Sequence, residues 1–566
     1  MKPTPTLSKV PATAWNYLVI AALLLPSLVW ISRDHSVWPW DQAWYGEVST
    51  DLWFWFGHSL APWAREMVDG LPTKAPGIVW LGQFFVPLQG IFGSIETALL
   101  FSILLTQFII LAILFKIAQR MAPHSRLVPW AAVLFASASQ LFVGLSHQFF
   151  VEPLQALAVA WCFYIAVRSS DWTKPRIALH LASALILGAL AKATTPLYCL
   201  APCTYAGYQL VGKPSPWNFA AELEFRSSRV LAFLLAPLGI LCGFWYIWNL
   251  GSIWQHVRDA SSGDIALNYG ARDSVFHKLI IWSQLLRTSF LSPYLYWGAL
   301  AAIPIVGGFA VYQRFKPSPE RHLQIQPVAV LGMIQAGLLL SVFSLNITVD
   351  SRYMYALLPC VVIVLMQLCV LLPPAALIGL LALGSTQWFV VNRISFDLTG
   401  HLVDQSNWLL PIQTSDSQYD ELSRVVRLTS DVAERYNVVG VEEPSMNANS
   451  AAFFVAKQRL TTGTRCYYTS LGYAEKDVDT AMRRIETLQT RYLITLAEPY
   501  QSTEPDFVNV VSLPVLERVR RDSRFRQCAF PSKIGLVVFQ FAPAADSAGM
   551  RPTGPCEAMK DPPSGN

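Results

Sequence analysis

Charge is scarce in this sequence. Lys, Arg, Asp and Glu make up 14% of its 566 residues, where a soluble globular chain carries about 25%. With 53% hydrophobic residues and a mean hydropathy of +0.38, that scarcity excludes a conventional soluble protein. It indicates a polytopic membrane protein with a soluble portion. A large excess of one sign is lacking too: 42 basic and 37 acidic residues leave a net charge of +5, too little to argue for a nucleic-acid partner. The nine cysteines contain no Cys-x-x-Cys pair, which removes the commonest cysteine metal spacing. Cys162, Cys199, Cys203, Cys242, Cys360 and Cys369 fall in apolar runs and read as small core residues. Cys466, Cys528 and Cys556 lie in the polar C-terminal part. Cys466–Cys528 is a candidate disulfide if that part faces an oxidising compartment. Internal repeats are absent.

What is present is a series of apolar runs. A membrane-crossing helix needs about 20 mostly apolar residues. On that measure about eleven spans are expected, at 15–32, 95–116, 127–146, 152–168, 177–194, 196–212, 229–249, 292–312, 326–347, 354–372 and 374–392. The first run is read as a retained helix, because Trp-rich sequence rather than a small-residue cleavage site follows it. Two apolar stretches are left out. GIVWLGQFFVPLQG, Gly77 to Gly90, is short and contains Pro87, which suits an interfacial or re-entrant helix. LIIWSQLLRTSF, Leu279 to Phe290, is interrupted by Arg287. Placing the N-terminus in the cytoplasm puts Lys116, Arg120, Arg126, Arg168, Lys174, Arg176, Lys213, Arg226, Arg229, Arg314, Lys316 and Arg321 on inner loops. That arrangement satisfies the positive-inside rule, with the C-terminal part outside.

Several ionisable residues then meet one outer water interface. Asp41 and Glu47 lie in WPWDQAWYGEV, directly after the first run. Lys74 opens KAPG; His147 and Glu152 flank the start of the fourth span in SHQFFVEPLQ. Lys192 sits near the outer end of the fifth span in LGALAKATTP, and Asp350 and Arg352 lie in DSRY between the ninth and tenth. Ionisable groups at membrane depth suggest function. The bland alternatives are a snorkelling Lys192 and a hydrogen-bonded interfacial His147. Asp51 and Asp69 read as solvated loop residues. Paired carboxylates serve as a general base or hold a divalent cation, with Asp41 and Glu152 the candidate metal ligands. Lysines and an arginine fork near the bilayer suit a phosphate. Together they suggest a lipid-linked phosphate donor attacked by a hydroxyl or similar acceptor.

These motifs, in this order, resemble GT-C glycosyltransferases of the protein mannosyltransferase and aminoarabinose transferase type. DQAWYGE is similar to that family's D-E-x-x-Y-x-E, TKAPGIVWLGQFF to its K-P-P-x-x-x-W-L segment, VEPLQALAVAW to its acid-led fourth span, and LGALAKATTP and DSRYMYALLP to its Lys and Arg-Tyr segments. Gln42 stands at the family's second acidic position, Ala75 replaces a proline, and Glu152 stands where many members have Asp. The resemblance covers residues 1–392. It implies a polyprenyl-phosphate sugar donor, a lipid, protein or polysaccharide acceptor at the outer face of a bacterial inner or plasma membrane, and inversion at the anomeric carbon. It also implies Asp41 as base, with Glu47 supporting it or the acceptor. Lys74, Lys192 and Arg352 would contact the donor phosphate, and Glu152, with His147 and Asp350, would lie near the acceptor or a cation. A divalent metal ion is the one cofactor to consider; no organic cofactor is implied. A transporter or flippase of lipid-linked saccharides is the alternative, disfavoured because such proteins carry their polar residues on broken helices at the midplane. A membrane scaffold presenting the C-terminal part is a third reading.

Residues 393–541 read as a small α/β domain. Helices are expected at Tyr419–Tyr436, Asn449–Lys457 and Val478–Thr490, and strands at VVGVE, RYLITLA and KIGLVVFQF. This part has no Gly-rich phosphate loop and no catalytic triad, so it reads as a lid or acceptor-recognition unit. Residues 542–566, rich in Pro, Gly, Ser and Asp, read as a disordered end.

Overall fold

A computed structural model of the chain describes residues 12–212, 226–261, 264–268, 270, 273–291, 294–315, 325–393, 416–430, 436–464, 466–497 and 506–541. The expected disordered end, Cys556, Lys213, Lys316 and Arg321 lie outside these residues. The helical part begins with α1 (Ala12–Ala22), α2 (Leu25–Ile31), α3 (Trp40–His58), α4 (Leu60–Asp69), α5 (Gly77–Gly82), α6 (Gln89–Phe92) and α7 (Ile95–Met121). It continues through α8 (Leu127–Ser137), α9 (Gln140–Ser146), α10 (Glu152–Arg168) and α11 (Lys174–Ala191). Further helices run to Pro374–Asn392.

Six of the described helices are long and apolar enough to cross a membrane: Ile95–Met121, Lys174–Ala191, Arg229–Trp248, Pro327–Leu345, Ser351–Leu371 and Pro374–Asn392. Three bent pairs raise the number to nine. α1 and α2 meet at 50°, with Pro26 in the first turn of α2. α8 and α9 meet at 62°, and Val275–Phe290 meets Tyr294–Phe309 at 113°. The expected run 152–168 is the 17-residue α10, and 196–212 is split into Thr195–Tyr198 and Leu200–Gly212. Both are shorter than a full bilayer crossing. The segment after Gly77 breaks into α5, a turn of 3₁₀ helix at Val86–Leu88 and α6, because Pro87 supplies no backbone N–H.

The C-terminal part is a five-stranded sheet with helices on both faces. Its strands are β1 (Tyr436–Val439), β2 (Tyr467–Ser470), β3 (Tyr492–Leu496), β4 (Phe525–Gln527) and β5 (Leu536–Phe541), in the order β2-β1-β3-β5-β4. β1 runs parallel to β2 and β3, while β5 is antiparallel to β3 and β4. Alternation along each strand feeds two cores. Val439, Tyr492, Ile494, Leu536 and Val538 face the helices Asp416–Thr429 and Ala448–Thr462. Val438, Leu493, Phe539 and Phe541 face Val478–Thr487 and Ser512–Arg521. The expected helix from Tyr419 ends at Thr429, and Tyr436 belongs to β1. The expected Cys466–Cys528 disulfide is corrected. Cys466 is a thiol that accepts a hydrogen bond from Asn437 Nδ2, whereas Cys528 is disulfide-bonded elsewhere. Cys466 leads into one edge strand and Cys528 follows the opposite one. Four inter-strand steps, roughly 19 Å, are far beyond disulfide reach.

The helix Ala448–Thr462, which we call the docking helix, joins the two parts. Ala451, Ala452, Phe454 and Val455 pack on the sheet, while Phe453 enters the core of the helical part and stacks on Trp38. Both sides are therefore buried, which explains the run SAAFFVA. The fit against α3 is close: a Cβ on Gly46 would lie 2.9 Å from the Phe453 ring.

Candidate active site

Three acid–base pairs carry the site. Asp41, in the first turn of α3, forms an ion pair with Lys74. The Lys74 ammonium also lies 5.3 Å and 5.7 Å from the ring centres of Trp44 and Tyr45, a cation–π setting. Lys74 is delivered by the KAPG turn, whose Gly77 sits against the end of α11. A Cβ there would be 2.6 Å from the Leu190 carbonyl oxygen. Two residues after Leu190, Lys192 caps α11 and reaches Glu152, Nζ to Oε1, at 3.0 Å. Its ammonium lies 4.6 Å from the Tyr353 ring centre. Glu152 is buried in the first turn of α10.

Asp350 caps the 3₁₀ helix Ser351–Leu357 by accepting from the Arg352 backbone N–H, at 2.9 Å. Its Oδ2 also accepts from the Arg352 guanidinium through Nε and Nη2, each at 2.8 Å. Arg352 is close enough to Asp41 and Glu152 for both carboxylates to act on its charge. So Asp41, Lys74, Glu152, Lys192, Asp350 and Arg352 form one array of alternating sign and zero formal charge. Burial pushes the Asp41 carboxyl up, but Lys74, then Arg352, and more weakly His256 outweigh it and hold it below the usual carboxylate range. His256 comes from the helix Leu250–Ser261. Tyr353 is the ring that the sequence does not single out, although it adjoins Arg352 in DSRY.

Glu47 is not brought to this array. The chain does not turn between it and Asp41: both lie on continuous α3, six residues and about 120° apart. Glu47 joins a second group with Asp51, Glu66 and Arg459. Asp51, expected to be solvated, is buried and paired with Arg459 of the docking helix. Asp69 accepts from Trp248 Nε1 at 3.0 Å. His147 is buried and stacks on Trp30, with ring centres 4.1 Å apart. Burial lowers its pKa to about 3, which favours the uncharged ring.

Burial first, then the Asp51 carboxylate, with Arg459 opposing and Glu66 adding, push the Glu47 carboxyl up to about 8. A carboxyl that keeps its proton longer when folded subtracts stability as pH rises from the unfolded value, 4.5, to the folded one. Glu47→Gln should therefore raise the melting temperature at about pH 8 by roughly 2–4 °C and leave it unchanged near pH 4. Thermal unfolding of the detergent-solubilised protein checks this, and equal shifts at both pH values would remove Glu47 from the titration.

No family model and no curated protein sequence matches the chain. Solved structures do match in fold. The aminoarabinose transferase ArnT from Cupriavidus metallidurans, bound to undecaprenyl phosphate, superposes with a TM-score of 0.56 at 12% identity, covering 95% of this chain and 100% of that one. The oligosaccharyltransferase AglB from Archaeoglobus fulgidus, in complex with an inhibitory peptide and a dolichol-phosphate, gives 0.51 at 9% identity, covering 96% and 76%. The mycobacterial arabinofuranosyltransferase AftD gives 0.51 at 11% identity, covering 94% and 42%. All three are GT-C glycosyltransferases, and the chain shares their fold.

Proposed function

We propose that this chain is an integral membrane glycosyltransferase that moves a sugar from a polyprenyl-phosphate carrier to an acceptor at the outer face, with inversion. The observation that carries the proposal is the neutral array of three acid–base pairs on a GT-C fold. Support for the ligand comes from the undecaprenyl phosphate bound to ArnT and the dolichol-phosphate bound to AglB. The hydrogen bond from Trp40 Nε1 to Glu442 favours one side of the membrane for both the Asp41 segment and residues 393–541. That side is the outer one if the N-terminus is cytoplasmic, in a bacterial plasma membrane. Residues 1–392 are then the catalytic module, and the acceptor is a lipid, protein or polysaccharide.

In this mechanism the donor phosphate competes with carboxylates for Lys74, Lys192 and Arg352. As Lys74 turns towards the phosphate, the Asp41 carboxylate loses its strongest cation and becomes more basic. It accepts the proton of the attacking acceptor group. The acceptor–anomeric carbon bond forms while the bond from that carbon to the phosphate oxygen breaks. Negative charge grows on the leaving phosphate, where the cations stabilise it. Among the described residues no three metal-ligating side chains are grouped, and Asp41 and Glu152, the candidate metal ligands, are each committed to a lysine. Lys74, Lys192 and Arg352 supply the positive charge in the steps above.

Undecaprenyl phosphate binding to the full-length protein in lipid nanodiscs, followed by native mass spectrometry, tests the donor site. Arg352→Ala should weaken binding by roughly 10–100-fold, the worth of a charge-assisted hydrogen bond. No binding by the unaltered protein would sink the proposal.

A further inference from the structure

Trp40 opens α3 with φ +34°, in the left-handed region that residues other than glycine rarely adopt. Asp41 is the next residue, so the geometry at Trp40 sets where its carboxylate points. Such a conformation persists only where the surroundings over-determine it. Here those surroundings come from the far end of the chain. Asn449 Nδ2 donates to the Trp40 carbonyl at 3.2 Å, and Ser450 Oγ donates to the Trp38 carbonyl at 2.7 Å. Trp40 Nε1 donates to Glu442 Oε2 at 3.2 Å, and the Trp38 ring stacks on Phe453 at 5.1 Å.

The holders are themselves fixed. Asn447 caps the docking helix by accepting from the Ser450 N–H at 2.9 Å. The Glu442 backbone exchanges hydrogen bonds with the Asn509 side chain, at 2.8 Å and 3.1 Å. We infer that Glu442, Asn449 and Ser450 are positioning residues for Asp41, so that the C-terminal α/β unit holds the Trp38–Trp40 segment in the conformation that aims Asp41 at Lys74. This gives the unit a role beyond covering the site, and it rests on Asp41 being the base of the transfer proposed above.

The test uses the full-length protein in nanodiscs with Glu442→Ala, Glu442→Gln and the double variant Asn449→Ala/Ser450→Ala. Glu442→Gln keeps an oxygen to accept from Trp40. The first readout, amide hydrogen exchange over Trp40–Tyr45, involves no sugar. Exchange should quicken about tenfold in Glu442→Ala and in the double variant, stay near the wild-type rate in Glu442→Gln, and be unchanged over Leu52–Gly57. The second readout is transfer from a synthetic polyprenyl-phosphate sugar: kcat should fall about tenfold with KM for the donor unchanged, and Glu442→Gln should restore it. Unchanged exchange in both alanine variants overturns the inference, as does faster exchange with unchanged kcat. If the double variant frees the docking helix, seen as faster exchange in β1 and β3, the Glu442→Ala and Glu442→Gln pair decides alone. A wild-type protein that transfers no sugar while its exchange responds as expected sinks the glycosyltransferase reading and leaves the restraint on Asp41 standing.

Discussion

Asp41→Asn should cut sugar transfer by about 10²–10⁴-fold, the span of a lost general base, while leaving undecaprenyl phosphate bound at least as tightly. The substitution keeps the shape of the side chain and removes only its charge. Asparagine cannot take the acceptor proton, so the chemical step loses its base. Lys74 loses its carboxylate partner and no longer has to be drawn from it by a phosphate, so the donor meets less competition. The two pair members are partly exposed, at 21% and 33%, so folding stability should change by about 1 kcal/mol or less. Single-turnover transfer in proteoliposomes and native mass spectrometry of the lipid complex read the two effects separately. Undiminished transfer by Asp41→Asn would remove this carboxylate from the mechanism.

Lys192→Met should be strongly destabilising, and Glu152→Gln added to it should reverse most of the loss. The Glu152 side chain is only 3% exposed. Removing its ammonium partner leaves a buried charge uncompensated, a change that typically costs about 3–5 kcal/mol. Neutralising Glu152 as well restores the balance of the array. Stability and function should then part company: the double variant folds, yet it lacks one of the three cations offered to the phosphate and should bind undecaprenyl phosphate more weakly. Thermal unfolding and lipid binding on the same samples decide. A double variant that binds like wild type would show that Lys192 serves only to pair Glu152.

The sequence carries much of the array on its face. Lys74, Glu152, Lys192, Asp350 and Arg352 each stand at the edge of an apolar run, where a charge is conspicuous because hydrocarbon tolerates it poorly. The placement of Glu47 was not legible in the same way. It turned on whether Asp41 lies in a loop or already on α3, and the helix start is marked by an unusual φ at Trp40 that tryptophan does not announce. Asp51 looked solvated because its partner, Arg459, lies in a helix that reads on its own as part of a separate soluble unit. The short strands β2 and β4 were missed as well. Three or four residues flanked by polar sequence give too little alternation to be seen.

The hydrogen bond between Trp40 and Glu442 spans 402 positions of sequence, and this bears on how the protein is made. Translation proceeds at about 5–20 residues per second, so the start of α3 leaves the ribosome roughly 20–80 s before its restraint exists. During that interval the nascent chain can insert its helices while the Asp41 segment lacks the contacts that shape it. Completion of the candidate active site is thereby deferred to the last stage of synthesis.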